Sequence, residues 1–386
     1  MVDNYKITIL SDGIMGNFTI GEWGFGALVE VTSGGITKRF FFDTGANPQT
    51  VVANAKTLNI NMCDVQDVIL SHNHWDHTSG LDTMRSSCKD TNPDAFKNAY
   101  IGGEEIFWPR VNSDGANAAL PQNYMLGERP RYLAQGGTFI LNSQPTPQFL
   151  GLPGVWLTGK IARNHDEKTY PGTPNIQDLS GNRSPDLMPE EHALVINTAA
   201  GMEVVTGCAH AGLINTVEAA QAILGGAKPP VTIVGGIHLF SRPLGDENTE
   251  GTVAWVAHQL ELNGAIGMLG GHCTGLERVV VLRKLLNLDD SVASYSTVGT
   301  RLSLSDGITY TTPALNTPVI SPRETLLQKA ACGTSPPTAS CQTTVSVWNY
   351  YLTNRINSNL RVLVVGDGTQ MMPVQQYLAA RLAAGL

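Results

Sequence analysis

Short apolar runs that end in Gly or polar turns alternate with stretches of helical spacing along most of this chain. Residues 5–12 and 25–31 read as apolar strands, and Phe40-Phe41-Phe42 as a third that runs into Asp43-Thr44-Gly45. Helical spacing over 49–59 precedes a strand at 65–70, and it resumes near Leu81, where Thr78 or Ser79 is placed to cap. From about 88 to 190 the pattern breaks into Pro, Gly, Asn and aromatic residues with short strands such as 154–158. A long irregular stretch in a compact domain is usually functional, so this one is expected to wall a substrate pocket. Order returns as a hairpin (193–197 and 202–206), then helix 213–224, strand 231–234, helix 250–263, strand 266–269, a helix to about 286 and a strand at 298–304. Beyond about 307 the chain turns Thr- and Pro-rich, with helices expected at 322–331 and 371–384 and a strand at 362–365.

One regularity unites these pieces: separate strands end in turns that carry a potential metal ligand. They are Asp43, the cluster His72-Asn73-His74-Trp75-Asp76-His77, Cys208 with His210, His238, and His272. Active sites of layered α/β folds gather at such strand ends, where loops converge without disturbing the core. Sheets in the middle with helices outside give an α/β, four-layer αββα sandwich followed by a C-terminal strand/helix extension. The expected division is 1–306 for the sandwich, with the irregular insert at about 88–190, and 307–386 for an extension packed on the core.

The cluster at 72–77 carries the chemistry. Of nine histidines in the chain, three fall within six residues. His72 and His74 point the same way while the backbone is extended. Asp76 and His77 then point elsewhere as the chain curls into a helix. The four donors are thereby shared between two neighbouring metal positions, as in two-metal hydrolases.

Bulk properties narrow the partners. With 386 residues, 42% hydrophobic and only 15% charged, the composition is that of a globular protein. The net charge of −8 and the lack of a basic tract argue against nucleic acid as a partner. No stretch reaches the roughly 18 apolar residues that a membrane span needs. The start lacks the basic-then-apolar pattern of a signal peptide, which points to the cytoplasm. A disulfide between Cys332 and Cys341 would point instead to an exported protein. The expected partner is a small-molecule substrate, and the sequence fixes no oligomeric state.

These residues resemble the metallo-β-lactamase fold superfamily, whose H-x-H-x-D-H motif stands here as His72, His74, Asp76 and His77. More narrowly they resemble the branch of 7,8-dihydropterin-6-methyl-4-(β-D-ribofuranosyl)aminobenzene-5′-phosphate synthase, also described as metal-dependent hydrolases. The branch segments are matched by Thr206–Gly212, Gly235–His238, His272–Gly275 and Thr158–Arg163. The resemblance implies that His72 and His74 bind a first metal and Asp76 and His77 a second, completed by His272. The bridging carboxylate that usually follows a Thr-Gly pair is replaced by Cys208, and His210 is assigned the missing imidazole of the first site. Cys208 is read as a small buried residue beside the ligands, with a soft ligand as the alternative, and His192 as a weaker ligand choice. Asp43 is expected to orient a ligating histidine. His238 is expected to hydrogen-bond a ligand or the substrate's oxyanion, acting with Asp76 in catalysis. Arg163, His165, Trp75 and Trp108 are placed as substrate contacts.

The function that follows is metal-assisted hydrolysis of an ester, lactone, amide or phosphoester bond. Two divalent ions, zinc by default with manganese or iron as alternatives, lower the pKa of a bridging water from about 15.7 towards about 7. Two other classes stay open: a synthase condensing a pterin-type phosphorylated aromatic substrate, and a non-catalytic metal-containing binding module.

Overall fold

The computed structural model describes residues 1–16, 19–111, 124–167, 175–310, 361–363 and 371–373. Contacts divide the chain into two units, Met1–Tyr310 and Thr311–Leu386.

Two mixed sheets dominate the first unit. One has eight strands in the order Gly307–Tyr310, Thr300–Ser303, Asn4–Ser11, Gly26–Ser33, Ile36–Phe42, Asp67–Leu70, Asn98–Ile101 and Thr138–Leu141. The other has seven, in the order Ala293–Tyr295, Ala265–Gly270, Val231–Gly235, Met202–Thr206, Leu194–Asn197, Val155–Leu157 and Thr146–Pro147. The alternation of side chains along a strand explains how both faces of each sheet are filled. Phe40 and Phe42 enter the layer between the sheets, with Ile69, Val205, Val234 and Leu269, whereas Phe41 points the other way. There it meets Val51, Leu81 and Met84 from the helices Thr50–Thr57 and Leu81–Cys88. On the far side Val204, Ile233 and Met268 pack under helices Leu213–Ile223, Val253–Leu262 and Leu276–Leu285. The architecture is the four-layer αββα sandwich, as expected.

Three differences from the sequence reading have physical causes. The stretch 88–190 is more ordered than its composition suggests: it supplies two strands to the eight-stranded sheet and two to the seven-stranded one. It also contributes the helix Tyr124–Ala134, whose Met125 and Tyr132 are fully buried against the first sheet. These strands are two to four residues long, too short to show a period. A buried ion cluster closes the insert, with Arg110 Nε 2.8 Å from Asp186 Oδ2 and its Nη2 2.8 Å from Glu190 Oε1.

The second difference is at the helix Leu81–Cys88, where neither Thr78 nor Ser79 caps. Their hydroxyls donate back to the carbonyls of His74 and Trp75, one turn earlier. Glu128 of the insert takes over, accepting the Asp82 N–H at 2.7 Å. The third lies near the C-terminus, where Met371–Pro373 is a strand paired with Arg361–Leu363, not the start of the expected helix over 371–384. The rest of that helix, the one over 322–331 and the Cys332/Cys341 loop lie outside the described residues. Cys63 is bonded to Cys88, a pairing that the sequence did not single out. Among the described residues no helix is long and apolar enough to cross a membrane.

Candidate metal centre

The centre forms at one edge of the sandwich, where strands of both sheets end together. Phe42 pairs with Ile69 in parallel register, and the next turns are Asp43-Thr44 and Ser71–His77. In the second sheet Thr206, Gly235 and Gly270 are parallel register partners. The segments that follow deliver Cys208 and His210, His238, and His272 and Cys273.

Each of these turns except Ser71–His77 contains one residue other than glycine with left-handed backbone. Asp43, Ala209, His238 and His272 have φ of 58°, 51°, 48° and 47°. Left-handed backbone at a residue other than glycine costs about 1–3 kcal/mol and persists only where surrounding packing enforces it. At Gly207 the approach is closer still: a Cβ there would lie 2.1 Å from Ser71 Oγ and 2.7 Å from Asp43 Oδ2.

Two donor triads result. The ligand atoms of His72, His74 and His210 lie within 4.8 Å of one another, and so do those of Asp76, His77 and His272. In the second triad His77 Nε2 is 3.2 Å from His272 Nε2, which is 3.2 Å from Asp76 Oδ2. The His72 and His77 rings, one from each triad, are 4.3 Å apart. All six residues are buried except His74, which is partly exposed.

The donor set fits divalent ions. His77 gives Nδ1–H to Asp43 Oδ2 at 2.7 Å, so the nitrogen it turns to His272 carries a lone pair. Donors about 2.0–2.1 Å from one tetrahedral ion would stand about 3.3–3.4 Å apart, close to the spacing found. His72 Nε2 is buried with no hydrogen-bond partner in the protein, an orphaned acceptor that a cation would satisfy.

Burial and the neighbouring histidines push the His72 and His210 pKa values far down. Burial outweighs Asp76 to bring His74 down to about 4. All three are therefore neutral imidazoles, the form that binds metal. Burial works against ionisation of Asp76, but His77 and His272 prevail and hold it below the usual carboxylate range. At His272 burial lowers the pKa, yet Cys273 and Asp76 outweigh it and raise it to about 9.

A second layer of acids fixes the donors. Asp43 accepts the Ser71 N–H and hydroxyl, each at 2.7 Å, as well as the His77 ring, and Ser71 Oγ is 2.9 Å from His72 Nδ1. Glu191 accepts the His210 N–H at 2.8 Å and that of Ala211. Asp12 accepts the His272 N–H at 3.1 Å and the Ser296 hydroxyl. Burial raises Glu191 to about 8 and Asp12 to about 6. The sequence reading missed Asp12, Ser71 and Glu191. Asp12 was findable, because Ser11-Asp12-Gly13 repeats the strand–acid pattern that singled out Asp43.

The remaining sequence candidates separate. His238 joins the centre, its ring 4.7 Å from that of His210. Arg163 donates to the carbonyls of His210 and Leu187, so it braces a donor's backbone. His165 pairs with Glu218 at 3.1 Å and Glu250 at 3.7 Å, beside Trp255 on the outer helices. His192 is in neither triad: its Nε2–H donates to the Leu70 carbonyl at 2.9 Å, clamping the strand end. Trp75 is 52% exposed beside the donors. Trp108 lies in the insert, where its carbonyl accepts from Arg110.

No family model matches the chain. It is 31% identical over 288 residues to a 7,8-dihydropterin-6-methyl-4-(β-D-ribofuranosyl)-aminobenzene-5′-phosphate synthase of Methanocaldococcus jannaschii, covering 72% of this chain and 90% of the relative. An uncharacterized protein of the same organism is 25% identical over 73% of this chain and 95% of its own length. Among solved structures, a metal-dependent hydrolase of the β-lactamase superfamily shares the fold with a TM-score of 0.57, at 22% identity over 77% of this chain and 98% of the other. The chain thus belongs to the family of that dihydropterin-related synthase and shares the fold of that β-lactamase-superfamily hydrolase.

Proposed function

We propose that the chain is a metal-dependent hydrolase acting on a small-molecule ester, lactone, amide or phosphoester. The observation that carries this reading is the convergence of two triads, His72/His74/His210 and Asp76/His77/His272, buried but for His74, at adjoining points. Divalent ions held there, zinc by default, supply Lewis acidity and a water that ionises near neutral pH. Asp76 remains ionised, so it serves as a donor and as an acceptor that holds the attacking water in line. His238, whose ring stands 4.7 Å from that of His210, serves to hydrogen-bond the oxygen on which charge develops. Asp43 holds His77 in the tautomer that leaves Nε2 free to ligate. Trp75, exposed and set between His74 and Asp76 in the chain, serves as a wall for substrate.

The 31% identity to a named synthase favours a second reading, condensation on a pterin-type phosphorylated aromatic. A panel of esters, lactones, phosphoesters and phosphorylated pterins on metal-reconstituted protein, with Asp76→Ala as control, tests both. Hydrolysis that Asp76→Ala abolishes supports the first reading. Product formation confined to the phosphorylated pterins supports the second. A purified protein that takes up no metal refutes both and leaves a non-catalytic binding module with a vestigial metal site.

A further inference from the structure

Cys208 and Cys273 are buried free thiols that the proposed chemistry does not use. Cys208 Sγ shares a donor group with His72 and His77, one from each triad, and further groups with His210 and His238 and with His272 and Cys273. It lies 3.1 Å from His77 Nε2, the nitrogen that Asp43 frees by taking Nδ1–H. Cys273 Sγ lies 3.2 Å from Cys208 Sγ, within hydrogen-bond reach. A residue that merely filled space would be walled by carbon. This sulfur is walled by ring nitrogens and a second sulfur, brought close by Gly207 and the reversed backbone of Ala209.

We propose that Cys208 is a direct thiolate ligand set between the two triads, oriented by the Cys273 thiol, and that it biases the centre towards soft ions such as zinc over manganese. This rests on the metal-dependent reading above. On ligation the Cys208 proton passes to Cys273 Sγ, whose S–H then hydrogen-bonds the bound sulfur. Thiolate prefers zinc, whereas the carboxylate of Asp76 also suits manganese, so the sulfur decides the balance.

X-ray absorption on the full-length, zinc-loaded protein tests this directly. The expected spectrum has a sulfur shell at about 2.3 Å beside nitrogen and oxygen at about 2.0–2.1 Å. Cys208→Ser should lose that shell and reduce the preference for zinc over manganese by about tenfold or more, whereas Cys273→Ser should keep it. Bound zinc with only nitrogen and oxygen neighbours in the wild type overturns the proposal and leaves the metal-dependent reading standing. A sulfur shell that survives Cys208→Ser also overturns it. Failure to bind zinc at all defeats the metal-dependent reading itself. Should Cys208→Ser not fold, Cys273→Ser decides: a sulfur shell that persists there supports the proposal, and its loss overturns it.

Discussion

The two sheets build their halves of the centre by opposite means. The first delivers four candidate ligands from one turn, His72 to His77, and steadies them with a single acid, since Asp43 contacts both Ser71 and His77. The second delivers one imidazole per strand end, His210 and His272, each secured through its backbone N–H by its own buried acid, Glu191 or Asp12. A contiguous turn concentrates donors but depends on one support. Dispersed donors need several supports, each of which matters to one donor only.

That contrast ranks the expected effects of mutation. Asp76→Ala or His74→Ala removes a donor outright and should lower turnover by roughly a hundred- to a thousandfold, measured on metal-loaded protein with the fold checked by circular dichroism. Asp43→Asn should weaken affinity for both ions by roughly 10–100-fold, because it disturbs His72 through Ser71 as well as His77. Glu191→Gln should affect mainly the ion held by His210, at the low end of that range, and calorimetric metal titration distinguishes one weakened site from two. Gly207→Ala should lower the melting temperature of metal-free protein, since its Cβ meets Ser71 Oγ at 2.1 Å and such overpacking costs about 1–3 kcal/mol.

The smallest effect concerns the join between the halves, where Tyr5 of the first sheet donates to Glu203 of the second at 2.8 Å. Burial raises Glu203 to about 7 against the opposing pull of the Tyr5 hydrogen bond. A folded pKa above the unfolded one gives stability that is complete below the ordinary value near 4.5 and lost as pH rises through about 7. Wild-type stability should therefore decline across that window, and Glu203→Gln should flatten the decline in denaturant titrations at each pH.

The same contrast explains what the sequence disclosed. The 72–77 turn was legible because its donors are consecutive and follow an apolar strand, and the strand-end rule extended to Asp43. The same rule picked out His210 and His272, but only the family resemblance gave them to particular metal positions, since no spacing within the chain links them to a turn some 140–200 positions away. Glu191 stayed hidden because it acts on backbone N–H groups, which leave no side-chain motif, whereas Asp12 ends a strand as Asp43 does and was passed over. The cap of Leu81–Cys88 was misassigned because Glu128, 46 residues from Asp82, supplies it. The αββα layering was legible throughout, because burial on both faces of a strand leaves continuous apolar runs such as Phe40-Phe41-Phe42.

The claim at the centre of this account is that imidazoles from distant strand ends complete two metal positions begun by one turn. Metal stoichiometry measured in parallel on the wild type, His210→Ala and His272→Ala tests it most directly. The account predicts two tightly held ions in the wild type and one in each variant, with the turn still holding the ion that did not lose its third donor. Two ions retained in both variants, or none in the wild type, would contradict it.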